Sequence, residues 1–327
     1  MPETQQTETR RTDTRQEARA RLTRRVALDS TIAAAVVVLM CVLRGVYSNE
    51  LMLFNFIMFL ALAQGLNIIY GFTGYLPFGY VGFFGAGAYG FSLVVMHLHV
   101  PALAGMAAAA VAALVLAVIL LPLLRLSGAY FAIASMAAAQ AVYEVVANPA
   151  LEDVTKGPYG VSLSEVFAPA WSYYTALMIL AATLFLVVWL RNSRFGMSLQ
   201  AIRDDAVSAA MAGISVVHGR TVAWLLSALI AGLVGGVFAW HISVFYPDTA
   251  FDLSVSIFAT VFLLFGGATT LTGPLLGVFI LYGIYNLIGI AVPQYFQFTY
   301  GALIVLLVLF LPNGLVSLLT SRGIRVP

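Results

Sequence analysis

The chain has 327 residues, of which 61% are hydrophobic and only 9% charged, with a net charge of +2 and a mean hydropathy of +0.96. A soluble domain carries about 25% charged residues, so this composition excludes a water-soluble globular fold, which would have too few polar side chains to cover its surface. The small net charge, clustered at segment ends, excludes a nucleic-acid partner; the single Cys41 excludes a disulfide framework or cysteine-rich metal site and is expected to be a small buried hydrophobe.

Residues 1–25 are polar, with Arg10, Arg11, Arg15, Arg19, Arg21, Arg24 and Arg25 set among Thr, Gln and Glu and no apolar period. They are expected to form a disordered basic arm in the cytoplasm. Apolar runs then begin near Val26, Leu51, Tyr80, Ala102, Ala129, Ser172, Thr221, Leu253, Pro274 and Phe296. Each approaches the ~20 residues that a helix needs to cross a bilayer. The pattern predicts an all-α, polytopic transmembrane bundle of about ten spans, with glycine-broken or re-entrant segments. The membrane domain is expected over 26–320, with a cytoplasmic coupling loop at 192–220 and a cytoplasmic tail at 321–327.

Basic residues in short connections favour the cytoplasm. With the arm inside, even-numbered spans end inside, and Arg125, Arg191, Arg194, Arg203, Arg220, Arg322 and Arg325 all fall there. The opposite connections carry His97 and His99, then Glu152, Asp153 and Lys156, then Asp248 and Asp252, then Pro293 and Gln294, and are acidic or neutral. Arg44 is the exception and is expected to snorkel to the outer interface. A multi-pass protein of the cell (inner) membrane follows, with both termini cytoplasmic. Glu144, His241 and Arg125 fall near span ends, where exposure to the interface accounts for them.

Three segments carry functional information. From Gly65 to Gly90 the chain reads GLNIIYGFTGYLPFGYVGFFGAGAYG, with Gly and Pro77 interrupting the beginning of the third span. Broken helices can turn free backbone groups toward a pathway, and transporters hold solute at such breaks. The candidate translocation residues are Asn67, Gly71, Thr73, Gly74, Tyr75, Pro77, Gly79 and Tyr80.

From Ser193 to Arg220, SRFGMSLQAIRDDAVSAAMAGISVVHGR is the longest polar connection on the arginine side. Its spacing predicts one short helix from Leu199 to Met211, with Ile202, Ala206, Ala209 and Gly213 along one small-residue face and Gly213 as its cap. This is the profile of a docking element. Arg203, Asp204, Asp205, Ala209 and Gly213 are the candidate ATPase-coupling residues. A third stretch, FGGATTLTGPLLGVFILYG from Phe265 to Gly283, is again interrupted by Gly, Thr and Pro.

The chain lacks a GxxxxGK[ST] phosphate loop, a HExxH motif and a His/Cys cluster, so no catalytic residues, metal or cofactor are assigned. It shows no carboxylate deep in a span for ion coupling. Active transport would therefore need a partner that hydrolyses ATP; a self-contained channel or facilitator is the alternative.

The strings LNIIYGFTGYLPFGYVGFFGAGAYG, SRFGMSLQAIRDDAVSAAMAGI and FGGATTLTGPLLG resemble the permease subunits of the branched-chain amino-acid, or Liv-type, ABC importers. The resemblance implies a second, related permease subunit, two cytoplasmic ATPase subunits and an extracytoplasmic solute-binding protein. It implies that the loop from Arg203 to Gly213 enters a groove in the ATPase, and that solute passes beside Asn67 to Tyr80. Pro77 and Tyr80 stand where the family commonly has a small polar residue and a histidine, and Ala206 and Ala210 where acids are frequent. These departures bear on the solute, for which urea or small aromatic or organic acids are the alternatives.

Overall fold

The computed structural model describes residues 26–47 and 49–291, with isolated positions at 298, 301, 302, 305 and 315. The basic arm, nearly all of the span expected from Phe296, and the tail lie outside the described residues. Within them, nine helices are long and apolar enough to cross a membrane.

The chain enters through α1 (Val26–Val46) and returns through α2 (Glu50–Leu66), which Asn49 caps by accepting from the Met52 N–H at 3.0 Å. Next come α3 (Val81–Leu98), α4 (Ala102–Ile119) and α5 (Gly128–Val146). A connection with the short α6 (Glu152–Thr155) leads to α7 (Pro169–Asn192). Two short helices, α8 (Arg194–Asp204) and α9 (Ala206–Met211), precede the long α10 (Val216–Ile242). The short α11 (Pro247–Ala250) leads into α12 (Leu253–Gly266), and α13 (Thr272–Ala291) completes the described bundle. Among the described residues, the strand content is one two-residue ribbon, β1 (Val161–Ser162) antiparallel to β2 (Val244–Phe245), which ties the α6–α7 connection to the end of α10.

The bundle is built around α10, which packs on α2, α3, α4 and α7. Association inside lipid gains little from the hydrophobic effect and depends on close packing, which small residues permit. Where α3 crosses α10, Gly87 and Gly235 each lie against the other helix's backbone, and Ala109 and Ala113 of α4 fit against Gly236 and Gly232. Large rings fill the space around these contacts. The Trp224 indole lies edge-on to Phe83 at 4.9 Å and its N–H donates to the Ala117 carbonyl at 2.9 Å.

By contrast, α1 is peripheral and mostly exposed, held to α7 at three places. Arg191 pairs with the buried Asp29 at 3.0 Å, and the Tyr173 hydroxyl donates to the Met40 carbonyl at 2.7 Å. At the far end, the Arg44 guanidinium pairs with Glu50 at 2.8 Å and lies over the Tyr173 and Tyr174 rings. Arg44 is therefore fixed by an acid and two aromatic faces, more than snorkelling requires.

Four expectations change. Cys41 is exposed on α1, because a peripheral helix turns its apolar residues to lipid as well as to protein. His241 is buried, with its Nδ1 2.9 Å from the Ser172 hydroxyl and its ring stacked on Phe54, where interface exposure was expected. The interruption assigned to the third span falls wholly before it, so α3 is continuous. The helix expected from Leu199 to Met211 is two helices, broken at Asp205.

Candidate functional site

The α2 helix ends in a π-helical turn at Asn67–Gly71, followed by one more helical step through Thr73. Such turns widen a helix by one residue and often mark functional positions. Gly74, at φ +78°, takes the left-handed conformation that ends the helix, and Tyr75 to Pro77 run without regular structure into a turn at Phe78–Tyr80. A buried helix start at α3 would leave N–H groups without partners. Two neighbours supply them: Ser135 of α5 accepts from the Gly79 N–H at 3.2 Å, and Ser256 of α12 accepts from the Val81 N–H at 2.7 Å. Gly79 sits so close to the α5 backbone that a Cβ would collide with the Ser135 carbonyl.

The polar candidates in this segment point into the bundle. Asn67 is fully buried: its Nδ2 donates to the Thr270 carbonyl at 3.0 Å and its Oδ1 accepts from the Thr269 N–H at 2.9 Å. Gln64, one helical turn earlier, donates to the Leu271 carbonyl at 2.6 Å. These carboxamides clamp the connection between α12 and α13, so the first and third informative segments meet. Thr73 donates to the Ile69 carbonyl of its own helix, and the Tyr80 hydroxyl donates to the Ser227 carbonyl at 3.0 Å. Ser227 in turn donates to the Gly65 carbonyl at 2.8 Å. Pro77 and Gly79 are buried, Tyr75 is half-buried, and Gly74 and Phe78 are exposed. Gln64 was not singled out from the sequence, although an amide in the apolar run ALAQGLN was the available signal.

The arginine-rich connection packs against the same end of α2. Arg203 donates to the Gly71 carbonyl at 2.8 Å, and the aliphatic part of its side chain lies beside Gly74. Arg220, at the start of α10, places its guanidinium over the Tyr75 ring at 4.4 Å. Leu199, Ile202 and Ala209 are buried, which seats α8 and α9 on the bundle, and Asp204 is exposed. Asp205 breaks the helix because its carboxylate serves as the N-cap of α9, accepting from the Ser208 hydroxyl at 2.6 Å and the Val207 N–H at 2.9 Å. Those bonds, the Ser208 hydroxyl first, hold its carboxyl below the usual carboxylate range. Gly213 follows the end of α9, where Ile214 N–H reaches back to the Ala209 carbonyl at 3.0 Å. The small face expected to be outward is thus partly inward, and Val207 and Met211 form the exposed apolar tip.

Among the described residues, no group of three or more His, Cys, Asp or Glu side chains is placed to hold a metal ion. What the arrangement can do is mechanical. It joins an exposed two-helix elbow, through Arg203, to the backbone of an interrupted membrane segment whose Tyr75 ring lies under Arg220 of α10.

Comparison with known proteins gives the site its setting. A family model described as "Branched-chain amino acid transport system / permease component" matches residues 47–308. The high-affinity branched-chain amino acid transport system permease proteins LivM of Salmonella typhimurium and Escherichia coli are each 26% identical over 296 residues, covering 80% of this chain and 68% of theirs. The L-arabinose ABC transporter permease protein AraH of Azospirillum brasilense is 27% identical over 157 residues, 46% of this chain and 44% of its own. No solved structure matches. With a family model that spans most of its length and a bundle of membrane-crossing helices, this multi-pass membrane protein belongs to the family of branched-chain amino-acid transport permease components.

Proposed function

We propose that the chain is the membrane half of an ATP-driven importer that moves branched-chain amino acids, with a second permease subunit, two cytoplasmic ATPase subunits and an extracytoplasmic solute-binding protein completing the machine. The solute is the one that the LivM relatives' names carry. The arm at 1–25, the loop at 192–220 and the tail at 321–327 lie in the cytoplasm in this reading. The observation that carries it is the Arg203 hydrogen bond to the Gly71 carbonyl. It connects the elbow, where an ATPase would push, to the π-turn and break at Asn67, Gly71, Thr73, Gly74, Tyr75, Pro77, Gly79 and Tyr80, along which solute would pass.

The exposed Val207 and Met211 are the surface that an ATPase groove would grip, with Asp204 setting the orientation. Motion of α8 and α9 would pass to α2 through Arg203 and from α2 to α10 through the Ser227–Gly65 hydrogen bond, while Arg220 of α10 lies over the Tyr75 ring of the break. Reconstitution in vesicles with the co-purified ATPase and binding protein tests this. Import should need both ATP and the binding protein, and import without either would make the chain a facilitator. Charge reversal at the exposed Asp204 should lower solute-stimulated ATPase activity more than solute affinity, and an unchanged rate would remove Asp204 from the coupling surface.

A further inference from the structure

Among the described residues, Arg44, Arg191 and Arg220 are the part-buried arginines. Arg44 pairs with Glu50 and Arg191 with Asp29, each through a guanidinium nitrogen within 3.0 Å of a carboxylate oxygen. Arg220 has no acid partner among the described residues, and its Nε is buried without a hydrogen-bond acceptor. Its guanidinium rests on the Tyr75 ring at 4.4 Å. A ring face attracts a cation only weakly, so a guanidinium partly withdrawn from water and lacking a counter-charge is a costly arrangement. Arg220 stands four residues after Val216, about 6 Å into α10, at the end of the bundle that carries the elbow.

The segment beneath the guanidinium has unused donors of its own. Beyond Gly74 the chain leaves helical geometry, and among the described residues the N–H groups of Tyr75, Leu76 and Phe78 meet no acceptor. The later break differs, because there Asn67 accepts from the Thr269 N–H. Apolar surface adjoins these donors. Phe131 of α5 lies edge-on to Tyr75 at 5.0 Å and 5.7 Å from the Trp224 ring, which closes the inner side, while Gly74 and Phe78 are exposed on the outer side. A cation, unpaired backbone donors and aromatic rings therefore stand together at the break. That set suits a carboxylate carried on an apolar group: the guanidinium and amides take the oxygens, and the rings take the hydrocarbon. A neutral solute such as a sugar or urea would leave the charge uncompensated.

We infer that Arg220, the free amides of Tyr75 to Phe78 and the Phe78 ring form a carboxylate station at the elbow end of the interrupted segment, where a branched-chain amino acid is held by its α-carboxylate. The inference rests on the importer reading and names the solute group that the site recognises. Arg220 is then a specificity-determining residue, selecting solutes that bear an anion. A phospholipid phosphate offers the same kind of oxygen, and the experiment separates the two sources.

The permease–ATPase complex is placed in phosphatidylcholine vesicles and irradiated with photo-leucine, the diazirine analogue of leucine, on both sides of the membrane. The binding protein is omitted so that its own selectivity does not enter. Adducts should fall on residues 74–78. Leucine and 4-methylpentanoate should compete for them at least about tenfold better than leucinamide, which lacks the carboxylate. Equal competition by leucinamide, or adducts confined to other segments, overturns the station without any variant being made. Arg220→Gln should lower the adduct yield at least about tenfold, and Arg220→Lys, which keeps the charge but not the fork, should lower it less. Parent-like melting shows that each variant is folded, and a parent-like yield in folded Arg220→Gln overturns the role of Arg220. Loss of the adducts when phosphatidylglycerol replaces phosphatidylcholine would assign the guanidinium to lipid phosphate and overturn the solute site. Import by the complete parent importer separates the two readings. If import needs ATP and the adducts are absent, the station alone fails; if import runs without ATP and the carboxylate-selective adducts persist, the importer reading alone fails.

Discussion

The two interrupted segments, 74–80 and 267–271, each begin with a glycine at positive φ and have opposite fastenings. The later one is held from inside, by the carboxamides of Gln64 and Asn67 on the backbone at 269–271. Its free backbone groups meet fully buried side chains, which makes it a strut between α2 and the α12–α13 hairpin. The earlier one is held from outside: hydroxyls of α5 and α12 take up the Gly79 and Val81 N–H groups, Arg203 of the elbow bonds the Gly71 carbonyl and Arg220 of α10 lies over the Tyr75 ring. A glycine at positive φ opens the helix in both cases, with Pro77 added in the first, but the neighbours that fasten the opening differ.

The contrast can be broken first at the strut. Asn67→Leu removes both bonds and leaves a part-buried N–H and a part-buried carbonyl without side-chain partners, a loss of about 2–4 kcal/mol. Thermal unfolding of the purified complex should show a larger drop in melting temperature for this variant than for any glycine or surface change, and parent-like melting would mean that the clamp contributes nothing. Next, Gly79→Ala drives a methyl group into the α5 backbone and should cost about 1–3 kcal/mol, because backbone cannot rotate away as a side chain can. Gly74→Ala provides the comparison. It meets only the flexible Arg203 side chain but must adopt φ +78°, so its cost is conformational, about 1 kcal/mol.

A change at the contact between elbow and break should spare stability and, in the importer reading, touch activity. Arg203→Gln weakens a charge-assisted bond that is partly open to solvent, and the solute-stimulated ATPase rate should fall about three- to tenfold with little change in melting. A variant with parent-like coupling would place the transmission elsewhere, with Arg220 the next residue to change. The smallest effect is expected at Asp205. Its carboxyl is held below the usual range when folded, so its cap is fully present above the unfolded value of about 3.9 and is lost as pH falls through the folded one. Protection of the Val207 and Ser208 amides, taken relative to the intrinsic exchange rate at each pH, should therefore fall only in acid for the parent chain. It should be low at every pH in Asp205→Ala and should not fall in acid in Asp205→Asn, which keeps the cap.

The sequence alone determined the class of molecule and nearly every described span, because hydropathy and run length respond to the solvent and the solvent is lipid. Periodicity placed Ile202 and Ala209 on one face, yet could not tell whether that face looks to a partner or to the chain's own bundle; the structure buries both. Asp205 could be read either as one more residue of a helix or as the cap of the next, and its hydrogen bonds to Val207 and Ser208 settled the choice. The strut was invisible because Asn67 and Thr270 are some two hundred positions apart, and a carboxamide in an apolar run does not say which backbone it will meet. Only the tertiary structure decided that the break and the elbow are in contact, since a hydrogen bond from Arg203 to Gly71 depends on how α2 and α8 pack, not on what either segment contains.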